Sequence, residues 1–189
     1  MSDSLKIRCS WPKNDNTYIQ YHDREWGVPV YGDRALFEKL ILDGFQAGLS
    51  WITNLRKWNH LLDAFDGFDP FRMIAYGPEK IESLMQNSGI IRNRLKIESS
   101  VTNAQTWLKI QETEGSFSEF LWKFVGGSPI QNSWNSDKEV PAETTESKTM
   151  SKALKERGFR FCGPTITRGS LPVIARTLRW PNVWAEPCT

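Results

Sequence analysis

Aromatic rings, an imidazole and two carboxylates are concentrated near the amino terminus, in Tyr-Ile-Gln-Tyr-His-Asp-Arg-Glu-Trp-Gly (residues 18–27). The candidates in this segment are Tyr18, Tyr21, His22 and Trp26. Such rings can stack on a nucleobase, and an imidazole titrates near neutral pH. The same composition also fits a packed aromatic arm that exposes its histidine, so the segment by itself leaves both interpretations open.

Asp43 is an acid on the apolar side of a predicted helix, in Leu-Asp-Gly-Phe-Gln-Ala-Gly-Leu-Ser-Trp (residues 42–51). A buried carboxylate costs free energy unless it is paired, and functional sites are where that cost is tolerated. The small residues that follow it allow other groups to approach closely. Asp43 is therefore the catalytic candidate, although a solvent-facing position near the helix end fits the pattern equally well. Trp51, at the end of the segment, fits the core as well as a pocket.

A glycine-containing hairpin is predicted between two helices, and basic residues follow it. Backbone N–H groups of a hairpin can bind a phosphate, and the start of the next helix adds its positive end. A basic helix start is also common on an ordinary solvated surface. The DNA-binding candidates are Gly89, Ile90, Ile91, Arg92, Arg94 and Lys96.

Cys9 and His22 are residue types that bind zinc, but two ligands do not make a tetrahedral site. The other cysteines are Cys162 and Cys188, no Cys-x-x-Cys spacing occurs, and no histidine follows His60. Residue spacing therefore gives little support for a metal site.

Helices must position these candidates, because apolar residues recur at helical spacing and no long run alternates. The predicted fold class is all-α, with an ordered, non-helical arm over the first thirty residues. Asp33 is predicted to cap the first helix. The predicted helical segments are 33–47, 50–65, 71–75, 79–86, 92–108, 117–125 and 148–157.

The composition is that of an ordinary globular protein, and 189 residues suffice for one domain or two closely packed lobes. The net charge of +2 permits nucleic-acid binding without arguing for it. No apolar stretch reaches the roughly 18 residues that a membrane span needs. Three cysteines without a disulfide framework indicate a reducing cytoplasm.

Six segments, in order along residues 7 to 166, resemble the 3-methyladenine DNA glycosylase I family. They are long and uncommon enough to make chance similarity a poor explanation. The segments are Arg-Cys-Ser-Trp (8–11), Tyr-His-Asp-Arg-Glu-Trp-Gly-Val-Pro (21–29), Gln-Ala-Gly-Leu-Ser-Trp-Ile-Thr (46–53), Phe-Asp-Pro (68–70), Gly-Ile-Ile-Arg (89–92) and Ser-Lys-Ala-Leu-Lys-Glu-Arg-Gly-Phe (151–159).

This resemblance implies a helix-hairpin-helix DNA glycosylase fold of two closely packed helical lobes, with one functional domain over residues 1–166. Residues 167–189 depart from the family and are expected to form a divergent tail. The implied activity is a hydrolytic base-excision enzyme that flips 3-methyladenine out of alkylated duplex DNA. A monomer in a bacterial-type cytoplasm, without a membrane partner, is the corresponding expectation.

The resemblance also assigns roles to residues. Trp11, Tyr21, Trp26 and Trp51 fall where the family builds its aromatic base pocket, and we add Tyr18 as their neighbour. Asp43 falls at the acidic position that hydrogen-bonds to the base, and residues 88–96 fall at the clamp on the DNA backbone. The family usually has glutamate at the acidic position, and a carboxylate displaced by about 1 Å can cost on the order of a hundredfold in rate.

A second departure concerns zinc. The family typically completes a zinc site with Cys9, His22 and a carboxyl-terminal histidine and cysteine. That histidine is absent here and Cys188 is the only late thiol, so a structural zinc is expected to be lost, incomplete or weakly bound. An alternative function follows from both departures: a catalytically weak homologue that binds DNA or a free alkylated base without efficient excision. A more distant alternative is an aromatic-pocket module for a peptide or a methylated amine.

Overall fold

Helices make up all of the regular structure in the computed structural model, which describes residues 8–130 and 139–170. The all-α prediction is therefore confirmed over these ranges. None of the helices described there is long and apolar enough to cross a membrane. The helices are α1 (Asn16–Arg24), α2 (Asp33–Gln46), α3 (Trp51–Arg56), α4 (Trp58–Ala64), α5 (Pro70–Met73), α6 (Pro78–Gln86), α7 (Arg94–Glu114), α8 (Phe117–Trp122), α9 (Thr145–Arg157) and α10 (Pro164–Ser170).

Helix α2 is the central element, in contact with α3, α7, α8 and α10. Its residues from Leu40 to Phe45 are all buried, so the helix is surrounded by protein over this stretch. Gly44 allows the close approach of the chain after α9, because a Cβ at this position would lie 3.3 Å from the Cβ of Phe161. Asp43 therefore occupies an interior part of the molecule.

Asp33 caps a different helix from the one predicted. Gly32 is the N-cap of α2, and the Asp33 carboxylate accepts hydrogen bonds from Ser116 Oγ (2.9 Å) and from the backbone N–H groups of Phe117 (3.2 Å) and Ser118 (2.8 Å). The Gln111 side chain donates a further bond. The carboxylate thus satisfies first-turn donors of α8, which have no partner within their own helix. The predicted cap on α2 is wrong because a tertiary contact takes the side chain.

The amino-terminal arm contains a helix that the prediction did not include. Helix α1 begins after Asp15, whose carboxylate accepts a hydrogen bond from the N–H of Tyr18 (3.0 Å). Tyr21 is its only buried residue and most of its nine positions are polar, so its apolar face is narrow. A helix held by its cap and by a few aromatic contacts is invisible to a search for hydrophobic periodicity.

Other helix boundaries also differ from the prediction, and two of the differences have a clear local cause. The segment predicted as one helix over 50–65 is interrupted at Lys57, where the backbone leaves helical geometry between α3 and α4. Helix α9 begins three residues earlier than predicted, at Thr145, because Thr144 and Ser147 form a capping box.

The division between residues 166 and 167 stays a prediction. Helix α10 spans it and packs on α2 and α9, and Thr167 within it is fully buried. The rest of the proposed tail, including Cys188, lies outside the described residues.

Candidate active site

The five predicted pocket aromatics lie together as one cluster of rings. Trp11 contacts Tyr18 and Trp26 at centroid distances of 4.5 and 5.0 Å. Tyr21 lies 6.4 Å from Trp11 and 5.3 Å from Trp51, so it joins the amino-terminal rings to α3. The arm and α3 therefore build one aromatic wall, which we define as Trp11, Tyr18, Tyr21, Trp26 and Trp51.

Local structure explains how separate segments reach the same wall. Tyr18 and Tyr21 are three residues apart on α1 and share one of its faces. The chain turns back after α1, with the N–H of Trp26 bonded to the carbonyl of Tyr21 (2.8 Å). Trp51 is the first residue of α3, and the buried Asn54 side chain donates to the carbonyl of Leu42 (2.6 Å). That bond fixes α3 against α2.

Asp43 is buried, with 3% of its surface exposed, so the solvent-facing interpretation is wrong. The ammonium of Lys39, one helical turn earlier on α2, donates a hydrogen bond to its carboxylate. The same ammonium lies 4.8 Å from the centroid of the Trp51 ring. Asp43 and the aromatic wall are thus close enough for a single positive charge to interact with both.

Two residues beside the wall, Lys39 and Trp58, were not identified from the sequence. Trp58 lies 6.3 Å from Trp51, and its indole N–H donates to the carboxylate of Glu38 (3.0 Å). A lysine four residues before the acid, on the same helix face, is a signal that spacing alone could have supplied. For Trp58, the spacing of seven residues from Trp51 is a weaker signal of a shared face.

The surroundings of Lys39 are acidic. Burial raises the pKa of Glu25, and the Coulomb attraction of Lys39 partly offsets that shift. Burial also raises the pKa of Glu38, against the opposing hydrogen bond from Trp58. Two carboxylates, those of Glu25 and Asp43, therefore interact with one ammonium, and Glu38 lies close enough to Glu25 for the two acids to repel each other, an environment that favours cations.

The predicted hairpin is a tight turn between α6 and α7, which we call the α6–α7 turn (residues 87–93). The side chain of Asn87 accepts the N–H of Gly89 (2.8 Å), and Ile90 is buried beneath the turn. Asn93 caps α7 by accepting the N–H of Lys96 (3.2 Å). Ile91 is half-buried, and Arg92 is exposed at the surface.

The other two basic candidates are already engaged. Arg94 is exposed, and its guanidinium bonds to Glu82 (2.6 Å) and lies 3.8 Å from Glu98, whose combined attraction raises the pKa of Arg94. Lys96 points inward: it is 7% exposed and donates to the carbonyls of Phe45 (2.7 Å) and Ala47 (2.6 Å). Burial lowers its pKa. Its position does not fit a contact with DNA; it caps the carboxyl end of α2.

Cys9 and His22 are neighbours, with the N–H of Cys9 directed at His22 Nε2 (3.4 Å). His22 is packed between Trp11 and Trp26 rather than exposed, so the idea of a surface histidine is wrong. Its Nδ1 lies 2.9 Å from Asp23, and a hydrogen bond from Arg8 lowers the pKa of Asp23 to about 2, against the opposing effect of burial. This resembles the carboxylate–histidine pair that orients metal ligands.

The metal site is nevertheless incomplete in the described part of the chain. Within residues 8–130 and 139–170, no three histidine, cysteine, aspartate or glutamate side chains are arranged to hold a metal ion. Cys9 and His22 supply two of the four ligands that a structural zinc takes. The described residues therefore do not by themselves fit a zinc ion.

Comparisons with known proteins agree with this site. The sequence model of the methyladenine glycosylase family matches residues 11–171. The chain belongs to that family. It is similar to the DNA-3-methyladenine glycosylase of Haemophilus influenzae, with 46% identity over 85% of this chain and 87% of the relative.

Solved structures of the methyladenine glycosylase family have the same fold. A crystal structure of 3-methyladenine DNA glycosylase I superposes with a TM-score of 0.86, at 45% identity, over 89% of this chain and 92% of the other. A tyrosine-to-phenylalanine variant of such an enzyme, in complex with 3-methyladenine, superposes with a TM-score of 0.84, at 35% identity, over 88% and 90% of the two chains. The family prediction is thus confirmed.

Proposed function

We propose that this chain is a monofunctional DNA glycosylase that releases 3-methyladenine from alkylated duplex DNA by hydrolysis. The observation that carries the proposal is the convergence of Asp43 and the aromatic wall on one buried site in a methyladenine glycosylase. A related enzyme has been crystallised with 3-methyladenine itself. The acidic, aromatic surroundings match the chemistry of that base.

Release of 3-methyladenine needs little general acid–base catalysis. Methylation at N3 gives the adenine a positive charge, so the glycosidic bond is weakened and the base leaves as a neutral molecule. The aromatic wall attracts such a cation through cation–π contacts. We assign Asp43 the hydrogen bond to the exocyclic amine of the base, with water as the nucleophile at the sugar. The position of Lys39 supports this assignment, because its ammonium already uses Asp43 and Trp51 as partners.

We assign DNA binding to the α6–α7 turn and the start of α7. Backbone N–H groups at a helix start favour a phosphate oxygen, and Arg92 adds an exposed charge nearby. The base must leave the helix stack to reach the buried Asp43, and unstacking costs least for a damaged base. We expect the protein to act on cytoplasmic DNA as a monomer.

Zinc belongs to this proposal only as a structural element. Cys9 and His22 supply two ligands and Cys188 is the candidate for a third, so we expect zinc to be absent or weakly bound, and no step of the reaction uses it. Metal analysis of the purified protein tests this point: zinc that is lost in Cys9→Ser and in Cys188→Ser, but kept in Cys162→Ser, would support the site.

A catalytically weak homologue is the second candidate, since the base must compete with Lys39 for the Asp43 carboxylate. Release of radiolabelled 3-methyladenine from methylated duplex DNA separates the two. Time-dependent release by catalytic amounts of protein would establish the enzyme. Binding of alkylated DNA without release would establish the weak homologue.

A further inference from the structure

Lys57 lies directly behind the α6–α7 turn, at the junction of α3 and α4. Its ammonium donates hydrogen bonds to two consecutive carbonyl groups of the turn, those of Ser88 (3.0 Å) and Gly89 (2.9 Å). One helical turn further along α4, His60 packs on the same place: a Cβ at Gly89 would lie 3.2 Å from His60 Cγ. The start of α4 is thus the support on which the turn rests.

These contacts determine the orientation of the turn's peptide groups. Two neighbouring carbonyls that face the same way repel each other, and a single ammonium between them removes that cost through charge-assisted hydrogen bonds. The N–H of each peptide points opposite to its C=O. Accordingly, the N–H of Gly89 goes to the Asn87 side chain (2.8 Å) and that of Ile90 to the Asn87 carbonyl (3.3 Å).

The next two backbone N–H groups of the turn, those of Ile91 and Arg92, differ from these in their hydrogen bonding. Among the described residues, none accepts a hydrogen bond from the backbone N–H of Ile91 or Arg92. These two groups immediately precede α7, a helix of 21 residues, with Asn93 as its cap. A phosphate placed here would meet two donors and the positive end of a long helix.

We propose that Lys57 is a positioning residue for DNA binding. Its ammonium holds the carbonyls of Ser88 and Gly89, and thereby keeps the N–H groups of Ile91 and Arg92 directed at a phosphate of the DNA backbone. Lys57 itself makes no phosphate contact. This inference rests on the proposed function, specifically on the assignment of the α6–α7 turn to DNA.

Salt dependence separates a positioning role from a direct contact. Each phosphate neutralised by a side chain contributes about 0.9 to the slope of log K against log [salt]. Loss of a direct contact lowers that slope, whereas a misplaced pair of neutral N–H groups weakens binding without changing it. The measurement is fluorescence anisotropy of a labelled duplex that carries a tetrahydrofuran abasic analogue, over a range of NaCl concentrations.

Lys57→Met removes the ammonium but keeps an unbranched side chain that extends to the Cε position. We expect its dissociation constant for the duplex to rise about tenfold at every salt concentration, as for the loss of charge-assisted hydrogen bonds, with the slope of the wild-type protein. Lys57→Arg, which can donate to both carbonyls, should restore most of the affinity. The matched control is Lys123→Met, since Lys123 donates to Glu114 away from the turn (3.3 Å).

Three results would overturn the inference: unchanged binding in Lys57→Met, a slope lower by about 0.9, or no recovery in Lys57→Arg. Affinity for free 3-methyladenine, measured by calorimetry, should stay at the wild-type value. If Lys57→Met fails to fold, Lys57→Ala is measured with added ethylammonium, which can donate N–H bonds, against tetramethylammonium, which cannot. Recovery with ethylammonium alone supports the role, and equal effects of the two ions contradict it.

The assignment of the turn to DNA is tested separately by Arg92→Ala. If this variant binds the duplex like the wild-type protein and its slope is unchanged, the proposed clamp is wrong. If Arg92→Ala loses affinity and slope while Lys57→Met behaves as wild type, only the role of Lys57 is wrong.

Discussion

Lys39 and Asp43 are one helical turn apart on α2, and their charged groups are paired at the edge of the aromatic wall, with the ammonium 4.8 Å from the Trp51 ring centroid. The lysine thus makes the two contacts that we assign to a cationic base. A base that enters this site must displace the ammonium, which can turn towards the neighbouring Glu25. In the free protein, Lys39 therefore competes with the substrate base for Asp43 and Trp51.

Replacing Lys39 with methionine should tighten the binding of a cationic base. The variant removes the Lys39 ammonium, which competes with an entering cation for Asp43 and the Trp51 ring. We expect about tenfold tighter binding of 3,9-dimethyladeninium, equivalent to ~1.4 kcal/mol, measured by calorimetry. Lys152→Met is the control, since Lys152 forms an exposed pair with Glu156 (3.9 Å) at the same spacing. Weaker binding in Lys39→Met would instead mean that Lys39 contacts the base directly.

Asp43→Asn should nearly abolish base release while leaving the size of the side chain unchanged. The amide removes the negative charge that stabilises the cationic base, and loss of one such electrostatic contact costs on the order of a hundredfold or more in rate. Single-turnover release of 3-methyladenine is the measurement. A rate within a factor of about three of the wild type would exclude Asp43 from catalysis.

Trp51→Ala and Arg92→Ala should impair different steps: the first should impair base release, and the second should impair DNA binding. The tryptophan variant is expected to lose base release but to keep its non-specific affinity for DNA within about twofold, because Trp51 is a buried residue of the aromatic wall. The arginine variant should weaken DNA binding and lower its salt dependence. Both are measured by anisotropy and by base release, with thermal unfolding to confirm the fold. Similar behaviour of the two variants would contradict the separation of pocket and clamp.

Asp33 should make stability depend on pH. Burial alone would raise the pKa of Asp33, but hydrogen bonds from Gln111, Ser116 and the backbone of α8 lower it below its usual value. Since the pKa is lower in the folded protein, the stabilisation is present above the unfolded pKa and is lost as the pH falls through the folded one. Asp33→Ala should reduce the free energy of unfolding by about 1–2 kcal/mol at neutral pH.

Urea unfolding at neutral pH and at about pH 3 checks this prediction. The difference between Asp33→Ala and the wild-type protein should shrink at the lower pH. Substitution of the exposed Asp63 by alanine serves as the control and should change stability little. An effect of Asp33→Ala that is equally large at both pH values would show that the carboxylate charge is unimportant.

The features best predicted from the sequence are those that depend on the spacing of residues close together in the chain. Spacing predicted the long helix α7 and the tight turn before it, and the aromatic segments and Asp43 converge on one site as the family resemblance implied. Helix α1 was missed because it is short and mostly polar, and a side-chain cap and a few aromatic contacts hold it. The break at Lys57 was missed for the related reason that apolar residues continue across it.

Most of the contacts at the site that could not be predicted from the sequence are made by three lysines. Lys39, Lys57 and Lys96 have long, flexible side chains, and each ends on a partner contributed by the fold: a carboxylate at the aromatic wall, the carbonyls of a turn, and the carboxyl end of α2. A basic residue next to a predicted hairpin looks the same whether its ammonium faces DNA or the interior. Only the placement of the neighbouring helices decides between them.

The position of α10 sets a limit on how this protein can be shortened. Thr167 is fully buried, and its hydroxyl donates to the carbonyl of Ser147 in α9 (3.0 Å). A stop codon after residue 166 would therefore remove half of a packed helix and expose apolar surface on α2. Any exchange of the carboxyl-terminal segment must therefore keep the chain intact through Ser170, where α10 ends. The junction in any chimera with a related enzyme belongs at that residue or later.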